Sequence, residues 1–448
     1  MGHNGVIKGS DGGNVKVANN AEFPKEWTIV SLERDCVLIS GLRPKGGASD
    51  EGIPSLGGEH ITLDGRINFS DVNAKYIPEK FFKIMTKGKA EENDILINKD
   101  GANTGKVAIL KKKFYKDIAI NEHLFILRSK KLFVQQYLFY WLFSRFGQKQ
   151  ITDRITGSVQ PGLSSTFIKN FLVPRPPLSE QRKIAEILET IDNAIEKTDK
   201  IIEKYKRIKQ GLMQDLLTKG VVSEGEGESE RWRLRDENID KFKDSPLGRI
   251  PEEWEVVRLG EVVDITMGQS PPSESYNMEG KGMPFLQGKQ EFESKHPVEV
   301  KYTTKPLKIA FENSLLISVR APVGDVNIAN KTYCIGRGLA SLSAKKGIIA
   351  LFLYYLMTFQ KSNVEAIGEG STFQAIARSQ IFNFKIPLPL PCEQQHIASI
   401  LSQIDEAIEK EQAYKEKLER IKKGLMEDLL TGKVRVNHLI EEGNKDGN

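Results

Sequence analysis

Apolar residues fall at Ile184, Leu188, Ile191, Ile195, Ile202 and Tyr205, in steps of four and three once Thr198 fills the remaining slot. This spacing keeps one narrow stripe of a helix apolar and predicts a helix over residues 179–217 with a heptad seam. At about 1.5 Å per residue it would be roughly 60 Å long. Ser179 is expected as its N-cap, after the proline-rich stop at residues 173–177. The stripe returns at Ile397, Leu401, Ile404 and Ile408. Glu411 and Lys415 then interrupt it before Leu418, Ile421 and Leu425 resume with a shift, so an imperfect coil is expected there. Neither stripe is broad enough to be stable alone, and each is the obvious cover for the other. The expected interface is Ile184, Leu188, Ile191, Ile195, Ile202 and Tyr205 against Ile397, Leu401, Ile404, Ile408 and Leu418. Elsewhere short β-like runs, such as residues 94–98 and 124–127, alternate with Gly-rich turns and with helical stretches near 133–146 and 350–359. Two compact α+β domains are predicted, over residues 21–175 and 247–386.

The helical segments are copies. Glu180 and Glu393 differ by 213 positions, as do Ile184 and Ile397, Leu188 and Leu401, Asp192 and Asp405, Arg207 and Arg420, and Thr218 and Thr431. The repeat reaches the start of each globular part, where Pro24-Lys25-Glu26-Trp27 returns as Pro251-Glu252-Glu253-Trp254. Between these ends the match thins to scraps. Like ends around unlike interiors predict one scaffold that presents two different surfaces.

A chain of 448 residues with 39% hydrophobic residues suits several domains. Sixty-five basic against 60 acidic residues leave only +5, which permits DNA binding if the basic residues cluster but does not demand it. Cys36, Cys334 and Cys392 are far apart and form no CxxC pair, so neither a disulfide framework nor a cysteine zinc site is expected. No apolar run has bilayer length, the start is Gly- and Asn-rich, and Val6 breaks a myristoylation pattern. A soluble, cytoplasmic protein is expected. Residues 1–20 read as a flexible N-terminal arm, 221–246 as a flexible acidic linker around Ser223 to Glu230, and 437–448 as a disordered tail.

Candidate chemistry is sparse. The stretch Gly101-Ala102-Asn103-Thr104-Gly105-Lys106-Val107 fails as a phosphate loop: three residues separate its glycines where four are needed, and Val107 stands where Ser or Thr should follow the lysine. It reads either as a structural turn or as a DNA-facing loop using Lys99, Asn103 and Lys106, with Arg320 from the corresponding stretch of the other half. Two polar loops precede the proline exits. Gln160, Ser164, Ser165 and Thr166 lie in one, and Ser371, Thr372, Gln374 and Arg378 in the other. They are either exposed connectors or DNA contacts, since Gln can bond adenine, Arg can grip guanine and hydroxyls hold phosphates. Asp264 with Glu293-Ser294-Lys295 imitates a nuclease's acidic pair and lysine but reads as surface charge. No Asn/Asp-Pro-Pro-Tyr/Phe motif is present to hold a flipped adenine.

The doubled set of Pro-x-x-Trp, proline-rich exit, Glu-Gln, Ile-Asp-x-Ala-Ile and Lys-x-Gly-Leu-Met-x-Asp-Leu-Leu-Thr resembles the DNA-specificity subunits of type I restriction-modification systems over nearly the whole chain. That resemblance implies an α+β fold with two target-recognition domains, joined by two long antiparallel coiled-coil helices (176–220 and 387–436) in a pseudo-twofold internal repeat. It implies a non-catalytic subunit that recognises a bipartite, asymmetric site in double-stranded DNA. It further implies two methyltransferase subunits as partners, and restriction subunits bound through them. S-adenosylmethionine, ATP and Mg are expected only in those partners, with no cofactor or metal on this chain. A self-sufficient nuclease or methylase, and a plain dimerisation rod, are the alternatives that remain.

Overall fold

A computed structural model of the chain describes residues 7–8, 14–15, 23–112, 114–157, 159–225, 231–369 and 375–442. It divides into two compact units. One takes in the described residues up to Thr198 together with those from Tyr414 onward; the other is Asp199–Ala413.

In the first unit the run Ile95-Leu96-Ile97 lacks polar alternation because its strand is covered on both faces. Ile95 and Ile97 join the core built on the helix Gln135–Phe143, while Leu96 joins a second core with Leu56, Ile120 and Ile126. This strand, Ile95–Asn98, lies in an antiparallel sheet ordered Cys36–Ser40, Leu124–Ser129, Ile95–Asn98, Val107–Ile109. A smaller sheet of Ile53–Leu56, Tyr76–Ile77 and Ala119–Ile120 backs the second core. The strands Thr28–Ser31 and Leu172–Arg175 pair at the unit's entrance and exit.

The second unit repeats this plan. Its central sheet runs Val263–Met267, Leu339–Ala344, Leu315–Ser318, Val326–Ile328, against the helix Ala350–Phe359. Glu255–Arg258 and Lys385–Leu388 close it as the entrance and exit strands do in the first. Its smaller sheet has five strands where the first unit has three, so the interiors diverge most there.

The long helices are Leu178–Thr218 and Pro391–Leu430. In each unit the opening half of one packs antiparallel on the closing half of the other. Ile184 and Leu188 share a core with Met426, Leu429 and Leu430, and Asp192 meets Lys422 at 2.6 Å. In the second unit Ile397 and Leu401 share a core with Met213, Leu216 and Leu217, and Asp405 meets Lys209 at 2.6 Å. The second ion pair is the first displaced by 213 positions with the helices exchanged. Tyr140 and Tyr355 donate to the same two aspartates at 2.7 Å. Burial first, and the adjacent carboxylates after it, push both phenols well above their ordinary value, so they stay donors.

The doubled motifs now have a physical cause. Trp27 Nε1 donates to Glu180 Oε2, and Trp254 Nε1 to Glu393 Oε2, both at 3.0 Å. Each glutamate sits in the first turn of a long helix, where the helix dipole favours an anion. Each is also gripped by an arginine that follows the other helix: Arg435 reaches Glu180 at 2.7 and 3.1 Å, and Arg235 holds both oxygens of Glu393. The neighbouring Gln181 and Gln394 bond backbone on both sides, accepting from Val134 N and Ile349 N at 2.9 Å.

Three expectations are corrected. The first long helix begins at Leu178, with Pro177 O accepting from Gln181 N, so Ser179 lies inside the first turn and is not the cap. The linker is not loose at its two ends: Val221–Glu224 pairs with Arg231–Leu234, and Phe242–Ser245 with Gly248–Pro251. Buried Arg235 and the stack of Trp232 on His396 anchor it, and only its stretch 226–230 lies outside the described residues. The tail carries a helix, Asn437–Glu442, because Ile440 packs on the first core; residues 443–448 lie outside the description. Of the expected arm, residues 1–20, only Ile7–Lys8 and Asn14–Val15 are described, and these two short strands pair.

Candidate nucleic-acid interface

In the first unit the loop 98–106 and the polar loop 157–166, over 50 positions apart, come together. Leu163 N donates to Lys99 O at 2.6 Å, Gly101 N to Pro161 O at 3.1 Å, and Thr104 Oγ1 also to Pro161 O at 3.0 Å. Gly105 makes the turn: at φ +90° its N–H reaches Asn98 O, and a side chain there would lie 3.0 Å from Ile151. Of the predicted residues, Lys99 pairs with Asp100 at 2.8 Å, and Asn103 donates to Gly58 O at 3.1 Å, tying the loop down. Lys106 is half-buried, whereas Gln160 and Ser165 are exposed. Ser164 and Thr166 are exposed too, but their hydroxyls bond each other at the start of the short helix Ser165–Lys169.

The second unit joins its two loops by the equivalent bond, Ile376 N to Val319 O at 2.9 Å, next to a bridge between Arg320 and Ala375. Gly324, at φ +85°, takes the place of Gly105 and bonds Ser318 O. Arg320 and Arg378 are exposed, the latter opening the helix Arg378–Asn383. Ser371, Thr372 and Gln374 lie outside the described residues.

A third segment completes each edge. Asn121 N bonds Leu56 O, Leu124 N bonds Asn121 O, and Lys99 N bonds His123 O. The same three bonds return as Gly336 N to Leu286 O, Leu339 N to Gly336 O, and Val319 N to Gly338 O. Residues 121–123 and 336–338 are therefore the same turn of the scaffold, yet one reads Asn-Glu-His and the other Gly-Arg-Gly. His123 Nδ1 lies 2.5 Å from Asp100 Oδ1, which links this turn to the loops. Burial alone would raise the Asp100 carboxyl; hydrogen bonds from Lys99 and His123 outweigh it and hold it below the ordinary value. Beside the turn is a polar cleft of about 450 Å³ lined by Arg43, Glu59, Lys75, Asn121, Glu122 and His123. Sequence reading missed Arg43, Glu122, His123 and Arg337. The available signal was a polar break, Asn121-Glu122-His123, inside an otherwise apolar run from Ile118 to Leu127.

Asp264 and Glu293-Ser294-Lys295 are not brought together. Asp264 is on the edge strand Val263–Met267 and meets Lys345 at 3.4 Å. Glu293 and Lys295 bond Asn327 and Ile328 on the opposite edge of the same sheet. Among the described residues no cluster of three or more His, Cys, Asp or Glu could hold a metal. No described helix is long and apolar enough to cross a membrane. Of the seam residues, Ile184, Leu188, Ile195, Ile202, Ile397, Leu401, Ile408 and Leu418 are buried, while Ile191, Tyr205 and Ile404 are half-buried.

Residues 67–206 and 251–420 each match the sequence profile of the type I restriction modification DNA specificity domain. A Methanocaldococcus jannaschii protein provisionally named the type I restriction enzyme MjaX specificity subunit is 39% identical over 431 residues, spanning 94% of this chain and 97% of its own. The type I restriction enzyme MjaVIII specificity subunit of the same organism is 29% identical over 95% of this chain and 97% of its own. A chain from a structural study of complex assembly and conformational transition in the type I R-M system superposes with TM-score 0.56 at 26% identity, over 92% of this chain and all of that one. The type I S subunit from M. genitalium shares the fold, with TM-score 0.60 at 16% identity, over 93% of this chain and 98% of its own.

Proposed function

The chain belongs to the type I restriction-modification DNA specificity family, and we propose that it reads the two halves of a split DNA site with its two units and directs methyltransferase and restriction subunits there. The observation that carries this reading is the doubled edge. Identical backbone bonds assemble three segments in each unit, and the side chains they carry are unlike. A frame held constant while its surface varies suits recognition of two different base sets, as half-sites are read by paired modules.

In this reading the paired helices form an antiparallel coiled coil within an approximate twofold repeat, and their length sets the gap between half-sites. The chain performs no chemistry. Methyl transfer and cleavage belong to two methyltransferase subunits and to restriction subunits bound through them, which would also hold S-adenosylmethionine, ATP and Mg. The setting is the cytoplasm, where such a complex meets DNA. Lys99, Lys106, Gln160, Arg320 and Arg378 remain proposed contacts on the two edges, as do Asn103, Ser164, Ser165 and Thr166 in tethering or phosphate-binding roles, and Ser371, Thr372 and Gln374.

A domain exchange tests this. When residues 247–386 are replaced by the equivalent domain of a relative, the methylation map of a host carrying the system should change in one half-site only. Simultaneous change of both halves, in a complex that still assembles, would refute independent reading.

A further inference from the structure

The turn at 121–123 and its equivalent at 336–338 point to two residues that set specificity. We infer that Arg43 in the first unit and Arg337 in the second each read a guanine in the half-site of their own unit; this rests on the DNA-reading function proposed above. The two arginines come from different segments yet arrive at one place on the scaffold. Backbone bonds make Glu122 and Arg337 equivalent, and Arg43 reaches Glu122 Oε1 at 3.1 Å. A guanidinium therefore stands at this turn in both units, delivered by the turn itself in one and by the segment after the strand Cys36–Ser40 in the other.

The surroundings suit base reading. Arg337 is exposed, and its side chain has no hydrogen-bond or ion-pair partner among the described residues. Its flanking glycines bring backbone close: a side chain at Gly336 or Gly338 would lie 3.0 or 2.7 Å from Gln287 O. Arg43 is 61% exposed and keeps most of its donors available after the one bond to Glu122. Glu122 is a positioning residue: its Oε1 holds Arg43 at 3.1 Å, with His123 Nε2 3.5 Å from the same oxygen, while Oε2 is buried without a partner, so Arg43 is the nearest donor to this carboxylate. The cleft of about 450 Å³ beside Arg43 leaves room for a base edge. An arginine's rigid fork matches the O6 and N7 acceptors of guanine in the major groove; a lysine ammonium can reach the same acceptors, but on a flexible stem without that fixed geometry.

The experiment uses the complex assembled with its methyltransferase subunits, and reads both DNA binding across a library of sites and the methylation map. Arg337→Ala is expected to relax preference at one G·C position in the second unit's half-site by roughly 5- to 150-fold, and to leave the other half unchanged. Arg43→Ala should do the same in the first unit's half-site, and Glu122→Gln should relax that same position more weakly. Arg337→Lys should recover general affinity and only part of the preference. An unaltered preference at every position of the affected half-site would overturn the inference. So would a uniform loss across all sequences with a salt slope shallower by about 0.9, the mark of a phosphate contact. Failure of the wild-type complex to select any split site would instead refute the proposed function itself.

Discussion

Glu393 and Arg235 are almost wholly withdrawn from water, at 4% and 5% side-chain exposure, and each is the other's main compensation. Two ions buried this way are no proof of stability as a pair, but removing the arginine leaves the Glu393 carboxylate buried with only neutral donors, Trp254 Nε1 and Val221 N. Arg235→Ala should therefore cost about 3–5 kcal/mol in denaturant unfolding, and a loss below about 1 kcal/mol would show that water replaces the guanidinium easily. Asp325 offers a pH test. Burial alone would raise its carboxyl, yet hydrogen bonds from Lys289 and Lys361 outweigh that and hold it below the ordinary 3.8. A carboxyl lowered in the folded state binds protons less readily than in the unfolded chain, so its contribution is present above 3.8 and is lost as pH falls through the folded value. The stability gap between wild type and Asp325→Asn should accordingly be constant from about pH 5 to about pH 9, below the range in which Lys361 loses its proton, and shrink with acidification below 3.8. A gap independent of pH down to unfolding would mean that the two lysines do not act through this charge.

At the scale of elements, the seam of the long helices is buried most deeply where it enters the cores of the globular parts. Leu188 and Leu401 are fully buried in the cores they share with the globular parts, whereas Ile191 and Ile404 are half-buried. Leu188→Ala and Leu401→Ala should each cost about 2–5 kcal/mol, the range for a cavity in a packed core. Ile191→Ala should cost clearly less, because water already reaches it. Equal losses at positions 188 and 191, measured by chemical unfolding, would contradict this ranking. The repeated ion pairs, Asp192 with Lys422 and Asp405 with Lys209, then act on register: each aspartate is held by a tyrosine of the globular part, and a slip of the facing helix would carry its lysine away.

For the whole molecule, each unit takes one half of each long helix, and the divisions fall after Thr198 and after Ala413. Spacing should therefore be altered at both divisions together, so that each unit keeps its own helix pairing. Four residues inserted at each add about 6 Å at 1.5 Å per residue and restore the facing side. This approaches two base pairs at about 3.4 Å. The methylation map should then show the unspecified gap lengthened by roughly two base pairs, with both half-sites intact. An unchanged gap in an assembled complex would mean that the helices do not set it.

Much of this architecture was already present in the order of residues. The heptad spacing, the 213-residue displacement and the doubled Trp and Glu motifs determined the two long helices, the duplication and the family, because periodicity and repetition are local properties of a chain. The runs 94–98 and 124–127 announced strands for the same reason. Composition misled where a few side chains outweighed the average. The region 221–246 looked loose from its acidic stretch, yet Trp232 and Arg235 anchor it by a ring stack and a buried ion pair with partners more than 150 positions away. The reading edge was legible only in part. Loops 98–106 and 157–166 stood out as polar, but their union depends on bonds between Lys99 and Leu163. That Arg43 meets Glu122, and that Glu122 and Arg337 occupy one turn of a common scaffold, was decided by tertiary structure alone: side chains far apart in sequence acquire a shared position only when the sheets that carry them have paired.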